Sequence, residues 1–126
     1  MKKIVILMML LCVVFTGCST KESVSGKMIS VNDVKGIIDN YKEYPNVYII
    51  DVREKEEYET GHLKNSINIP LSILSTIELD KEAKIVVYCQ SGRRSALALS
   101  QLKELGYKNV YDMGGINNWP YDVVDK

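Results

Sequence analysis

Residues Ile85 to Leu99 constrain the fold of this chain more than any other segment. Ile85-Val86-Val87-Tyr88 is an apolar run that reads as a short buried strand. A six-residue loop follows, Cys89-Gln90-Ser91-Gly92-Arg93-Arg94, and the pattern predicts a helix opening at Ser95. A strand turning directly into a helix sets the loop against the helix N-terminus, where unpaired backbone N–H groups and the helix dipole favour negative charge. Gly92 allows the positive φ such a curl needs, and the Ser95 side chain can cap the helix. Cys89 then stands at the rim of a ring of N–H donors contributed by Gln90 to Ser95, a setting that makes a thiol a nucleophile. Arg93 and Arg94 add positive charge and a fork suited to oxyanions. A cysteine ending a core strand is more often a small buried hydrophobe. Such filler requires neither the glycine, nor the two arginines, nor the immediate helix start. The segment therefore reads as an anion-binding nucleophilic thiol.

The first residues follow a different logic. Lys2 and Lys3 precede twelve apolar residues, Ile4 to Phe15, and then Thr16-Gly17-Cys18. A charged start, a short apolar stretch and a small-residue end describe an export signal, residues 1–17. Twelve residues are too few for a lasting membrane span. Phe15-Thr16-Gly17-Cys18 resembles the lipobox of bacterial lipoproteins, with Phe15 where Leu is usual. That resemblance implies cleavage before Cys18 and a lipid on its sulfur, which would place the protein outside the cytoplasm, anchored to the bacterial cell membrane. Simple secretion and an uncleaved signal anchor are the competing readings. Residues 18–27 comprise the lipidated cysteine and a polar stretch without apolar periodicity, a flexible tether. Residues 28–126 form a single domain.

Cysteine usage narrows the chemistry. Of three cysteines, Cys12 leaves with the signal and Cys18 carries the lipid, so Cys89 is alone in the domain. No internal disulfide can form, and no second thiol is available to resolve one in the manner of a thioredoxin. One histidine, His62, with one cysteine does not make a zinc site, and no metal is expected. Loss of residues 1–17 removes two lysines and no acid. The remaining 14 basic against 16 acidic residues leave a formal charge of about −2, with no basic block outside the Cys89 loop. Nucleic acid is not an expected partner.

Helical and strand signals alternate along the domain. Ser30-Val31-Asn32-Asp33 resembles a capping box ahead of Val34, Ile37 and Ile38 at helical spacing. Val47 to Ile50 reads as a second buried strand. Glu54 to Thr60 is a short acidic helix stopped by Gly61, its carboxylates forming a solvated face. Ser66 to Pro70 holds a small strand with Ile67 and Ile69 alternating, and Leu71 to Thr76 a helical turn. Leu97, Leu99, Leu102 and Leu105 supply the apolar face of the helix after Cys89, which Gly106 ends. Val110 to Met113 is a last strand, and Trp119 joins the core. This alternation predicts an α/β fold, a central mostly parallel sheet with helices on both faces. Ligands of such sheets sit beyond the carboxyl ends of the strands, where Cys89 and Asp51 both fall.

With these segments in place, the region from about Ile29 to Val123 resembles a single rhodanese domain. The matching segments are Asp51-Val52-Arg53, Glu59-Thr60-Gly61-His62-Leu63, Asn68-Ile69-Pro70, the loop from Cys89 to Ser95, and Gly114-Gly115-Ile116-Asn117-Asn118-Trp119. Asn65-Ser66 departs from the common Gly-Ala. Members that transfer sulfur have Cys and Arg five positions apart, as Cys89 and Arg94 are. The phosphatase and arsenate reductase branches carry one residue more.

The resemblance implies a sulfurtransferase that needs no metal or organic cofactor. Cys89 would take a sulfane sulfur from a small anionic donor, thiosulfate, persulfide or polysulfide, and pass it to a thiol or cyanide. Gln90, Ser91, Gly92 and Ser95 would hold the persulfide through their N–H groups. Arg94 and Arg93 would steer anionic donors and stabilise departing sulfite. Asp51 and Arg53 are expected to brace the loop from beneath, and His62 to fix a turn rather than act as a base. A non-catalytic binding or persulfide-sensing module is the main rival, with a phosphatase or arsenate reductase behind it.

Overall fold

The structure, a computed structural model, describes residues 27–126; the signal peptide, Cys18 and most of the tether lie outside the described residues. Five strands form one sheet: β1 (Lys27–Met28), β2 (Val47–Asp51), β3 (Ser66–Asn68), β4 (Lys84–Cys89) and β5 (Asn109–Gly115). Their order is β1-β5-β4-β2-β3 and every pairing is parallel. Lys27, expected in the tether, already opens β1 and pairs with Tyr111. Three α-helices connect them: α1 (Val31–Asp39), α2 (Lys55–Glu59) and α3 (Arg93–Glu104).

Side chains alternate across a strand, so each central strand feeds two cores. From β4, Ile85, Val87 and Cys89 join Ile50 of β2 on one face, under Ala98, Leu99 and Leu102 of α3 and Leu74 of a 3-10 turn. Val86 and Tyr88 join Val47 and Ile49 on the other, under Val34, Ile37 and Ile38 of α1. Both faces are covered, as the apolar runs of β2 and β4 require. The alternation also decides that the Cys89 side chain points toward α3.

Three expectations change. Helix α3 starts at Arg93, two residues before Ser95, because Gly92 takes the preceding position with φ 104°. Its buried stripe is Ser95, Ala98, Leu99 and Leu102, an i, i+3, i+4, i+7 set that leaves Leu97 57% exposed and Leu105 at the margin. In β3, Ser66 faces inward while Ile67 is exposed. Trp119 is half-buried against the α1 core, its ring edge-on to Tyr121.

The inward Ser66 has a polar purpose. Its hydroxyl donates to the Leu63 carbonyl at 2.6 Å and lies 3.0 Å from the Tyr88 hydroxyl, which also accepts the Leu63 N–H at 3.1 Å. Asn65 makes the turn ahead of it with φ 66°, a left-handed conformation asparagine tolerates. Burial pushes the Tyr88 phenol well above its ordinary value. Tyr88 thus ends an apolar strand yet satisfies the backbone of the His62-Leu63 turn. Tyr88→Phe leaves the buried Leu63 N–H without a partner and is expected to lower stability by about 1–3 kcal/mol, read as an earlier midpoint in urea unfolding.

Candidate active site

Strand β4 delivers Cys89 to the carboxyl edge of the sheet, and the chain curls through Gln90, Ser91 and Gly92 into α3. The Gly92 N–H donates to Cys89 Sγ at 3.0 Å. The Ser95 hydroxyl, fully buried, lies 3.5 Å from Sγ on the other side and donates to the Gly92 carbonyl at 3.1 Å. Ser95 therefore sits inside the first turn, beside the sulfur, instead of capping the helix ahead of it. As the first three residues of a helix, Arg93, Arg94 and Ser95 have N–H groups without partners inside it. In place of a ring, one direct backbone donor to sulfur, the Gly92 N–H, is seen among the described residues, with the start of α3 behind it. Cys89 itself is 1% exposed.

A buried ion pair carries the loop from below. Arg53 and Asp51 are 2% and 0% exposed. Arg53 Nη2 and Nε donate to the Asp51 carboxylate at 2.7–3.1 Å, Nη2 also to the Gly61 carbonyl at 2.7 Å, and Nη1 to Gln90 Oε1 at 3.0 Å. Burial pulls the Arg53 guanidinium down, but the Asp51 carboxylate outweighs it and holds the group above its ordinary value. Asn68 donates to the carbonyls of Asp51 and Arg53, which is how the Asn68-Ile69-Pro70 segment fixes this turn. Asp51 and Arg53 thus lie beneath the loop and are bonded to it through Gln90.

His62 is held against α2. It stacks on Tyr58 with ring centroids 3.6 Å apart, and its Nδ1 lies 2.9 Å from the Tyr58 carbonyl. Its backbone pairs antiparallel with Val124.

From the side, the loop rests on the end of β5. A bulge between β4 and β5 lets Tyr88 face Gly114, while Asp112 Oδ1 accepts the Gly114 N–H at 2.7 Å. Gly115 then meets the loop backbone to backbone. A Cβ there would lie 2.8 Å from Ser91 Cα and 2.9 Å from the Gln90 carbonyl carbon. Asn117 completes the contact, its N–H donating to the Gln90 carbonyl at 3.2 Å and its side-chain oxygen accepting from Gln90 Nε2 at 2.5 Å. Gln90 thus faces its supports, leaving Ser91 and Arg93 as the exposed rim.

Arg94 is taken up by a carboxylate of the protein. Both of its terminal nitrogens donate to the Glu57 carboxylate, at 2.6 and 2.8 Å. Glu57 also accepts the Glu54 N–H at 3.2 Å in the capping box of α2. The Arg94 hydrogen bonds draw the Glu57 carboxyl down to about 2, and the same contact raises Arg94. Glu57 is therefore no solvated-face residue. With Asn117 and Tyr88 it is one of the residues near the site whose contacts the sequence reading missed. The spacing of Glu54 and Glu57, the two acids of a capping box, was the available signal for a fixed carboxylate.

A parallel α/β sheet with a buried cysteine at the turn from a central strand into a helix, bonded by a backbone N–H of that turn, defines the class of domain. Within it, residues 30–121 match the rhodanese-like domain family, and the chain belongs to that family. A rhodanese-related protein of Thermoplasma volcanium has a solved structure that superposes with a TM-score of 0.65 at 34% identity, covering 79% of this chain and 99% of that one. The thiosulfate sulfurtransferase PspE of Escherichia coli is 40% identical over 73 residues, 55% of this chain and 70% of that protein. The adenylyltransferase and sulfurtransferase uba4 of Ogataea parapolymorpha is 47% identical over 80 residues, 60% of this chain. The chain spans only 21% of that protein's length.

Two outcomes follow from this geometry. Gly115→Ala forces β5 and the loop apart and is expected to destabilise by roughly 1–3 kcal/mol, seen as a lower thermal midpoint. Glu57 has a depressed folded value, so its stabilisation is complete above the ordinary value of about 4.5 and disappears as pH falls toward about 2. The gap in urea midpoint between wild type and Glu57→Gln should accordingly be widest near neutrality and close between pH 4.5 and 2.

Proposed function

We propose that this protein is a sulfurtransferase that moves a sulfane sulfur through a persulfide on Cys89. The observation that carries the reading is the Gly92 N–H at 3.0 Å from Cys89 Sγ, with the open start of α3 behind it. The thiolate attacks the terminal sulfur of thiosulfate, a persulfide or a polysulfide. The sulfur–sulfur bond breaks, its electron pair leaves with sulfite or thiolate, and Cys89–S–S⁻ remains. An acceptor thiol, or cyanide, attacks that outer sulfur and restores the Cys89 thiolate. Backbone donors already in place can hold the negative charge on sulfur in both states. No base is needed, which agrees with His62 being committed to Tyr58. The PspE relative, named a thiosulfate sulfurtransferase, supports the same reaction class. The engagement of Arg94 by Glu57 speaks against a phosphatase or arsenate reductase, which needs that fork for a tetrahedral oxyanion.

The full-length chain, purified in detergent and incubated with thiosulfate or an alkyl persulfide, is expected to gain one sulfur atom on Cys89 by mass spectrometry. Cyanide should remove it with release of thiocyanate, and Cys89→Ser should show neither. An adduct that no acceptor discharges would favour a persulfide-sensing module, and absence of any adduct a binding module.

We also propose that Cys18 carries a lipid that anchors the domain outside the cytoplasm. Lys27 pairs beside Tyr111, which lies beside Val86, three residues before Cys89, and β1 runs in the direction of β4. Lys27 therefore opens β1 toward the amino ends of the strands, with the active loop at the other edge of the sheet. Radiolabelled palmitate in the wild type, lost in Cys18→Ser together with membrane fractionation, is the expected result.

A further inference from the structure

The positive charge around Cys89 is largely neutralised from within the protein. Arg53 is bound by Asp51 and Arg94 by Glu57, both through two or more hydrogen bonds. Of these two and Arg93, the three arginines at the loop, only the exposed Arg93 makes no salt bridge among the described residues. Asp51, through Arg53, is bonded to the loop at Gln90, whereas Glu57 through its carboxylate bonds only to Arg94 of α3 and to the Glu54 N–H among the described residues. It stands on α2, outside the loop, and its carboxylate is preset by the Glu54 N–H to receive the Arg94 fork.

We infer that Glu57 is a specificity-determining residue: by holding Arg94 in a two-point ion pair, it suits the Cys89 site to singly charged or neutral persulfides, R–S–SH, over dianionic thiosulfate. The inference rests on the sulfurtransferase reading. Thiosulfate brings two negative charges to an anionic thiolate, and sulfite departs with two, so that route gains most from a free guanidinium beside the sulfur. An alkyl persulfide makes no such demand. The Cys89 thiolate attacks its outer sulfur, the S–S bond breaks with its electrons on RS⁻, and the proton of the transferred SH passes through solvent to RS⁻. The products are Cys89–S–S⁻ and RSH. Arg94 can then remain with Glu57 throughout.

The test compares kcat and KM for thiosulfate and for 2-hydroxyethyl persulfide, whose organic part is uncharged. The full-length chain is used as wild type, Glu57→Gln, Glu57→Asp, and Glu57→Gln combined with Arg94→Gln. The wild type is expected to show the higher kcat/KM with the persulfide. Glu57→Gln should lower KM for thiosulfate roughly five- to tenfold, with persulfide KM changed less than twofold. Glu57→Asp, whose shorter arm weakens the pair, should move the same ratio by a smaller factor. The double variant should lose the gain, because the gain belongs to the released Arg94. Thiosulfate binding by calorimetry on a Cys89→Ser background should tighten on adding Glu57→Gln, a readout that needs no turnover. An unchanged or higher thiosulfate KM with unchanged binding overturns the inference. Failure of wild type to form the Cys89 persulfide from either donor overturns the sulfurtransferase reading instead, and the binding arm then still decides the role of Glu57.

Discussion

The Asp51–Arg53 pair is the interaction on which the site depends. One carboxylate at the end of β2 orients one guanidinium, which reaches the Gly61 carbonyl on one side and the Gln90 amide on the other. Three segments distant in sequence are thereby held at fixed spacing beneath Cys89. Both partners are shielded from water, so removing either leaves an uncompensated charge, at about 3–5 kcal/mol in buried pairs generally. The pair is a registration device more than a source of net stability, since an apolar replacement of equal shape can be as stable. What such a replacement could not reproduce is the set of directed hydrogen bonds that fixes Gln90.

A second consequence concerns charge. A site for anions is usually read from its arginines, yet here two of three are bound to carboxylates of the protein. Positive character at the sulfur then comes mainly from backbone, through the Gly92 N–H and the start of α3. Backbone dipoles do not move or titrate, so the field on sulfur is nearly constant. Side chains set what else is welcome in the cradle.

The strands were legible because buried parallel strands are continuous apolar runs, and Val47–Ile50 and Ile85–Tyr88 leave little alternative. The loop was legible because Cys89, Gly92 and the arginines make sense together. The frame of α3 was not. Leucines at 97, 99, 102 and 105 allow overlapping stripes, and small Ser95 and Ala98, which sit against the sheet, carry little hydropathy signal. A glycine at positive φ also begins a helix without any side-chain cap, which is why Ser95 looked like the start. Glu57 was hidden for another reason. Its partner lies 37 residues away, and an acid on a short helix looks the same in sequence whether it meets water or a guanidinium. Ser66 illustrates the converse: a polar residue in a small strand reads as outward, but a tyrosine hydroxyl from the neighbouring core reverses it.

The contact between Gly115 and the Gln90–Ser91 backbone shows why the chemistry can be independent of most side chains in the loop. Beyond the bulge in β5, Gly115 pairs with Cys89, and only a residue without a Cβ lets its backbone meet that of Gln90 and Ser91. That close approach, with the Asn117 bond to the Gln90 carbonyl, holds the peptide groups that present the Gly92 N–H to sulfur. Donors held in advance need no rearrangement when negative charge appears on the sulfur. Ser91 and Arg93 lie exposed at the edge of this fixed frame, where their side chains are not held by it. The rigid part of the site is therefore its backbone, and the adaptable part is its rim.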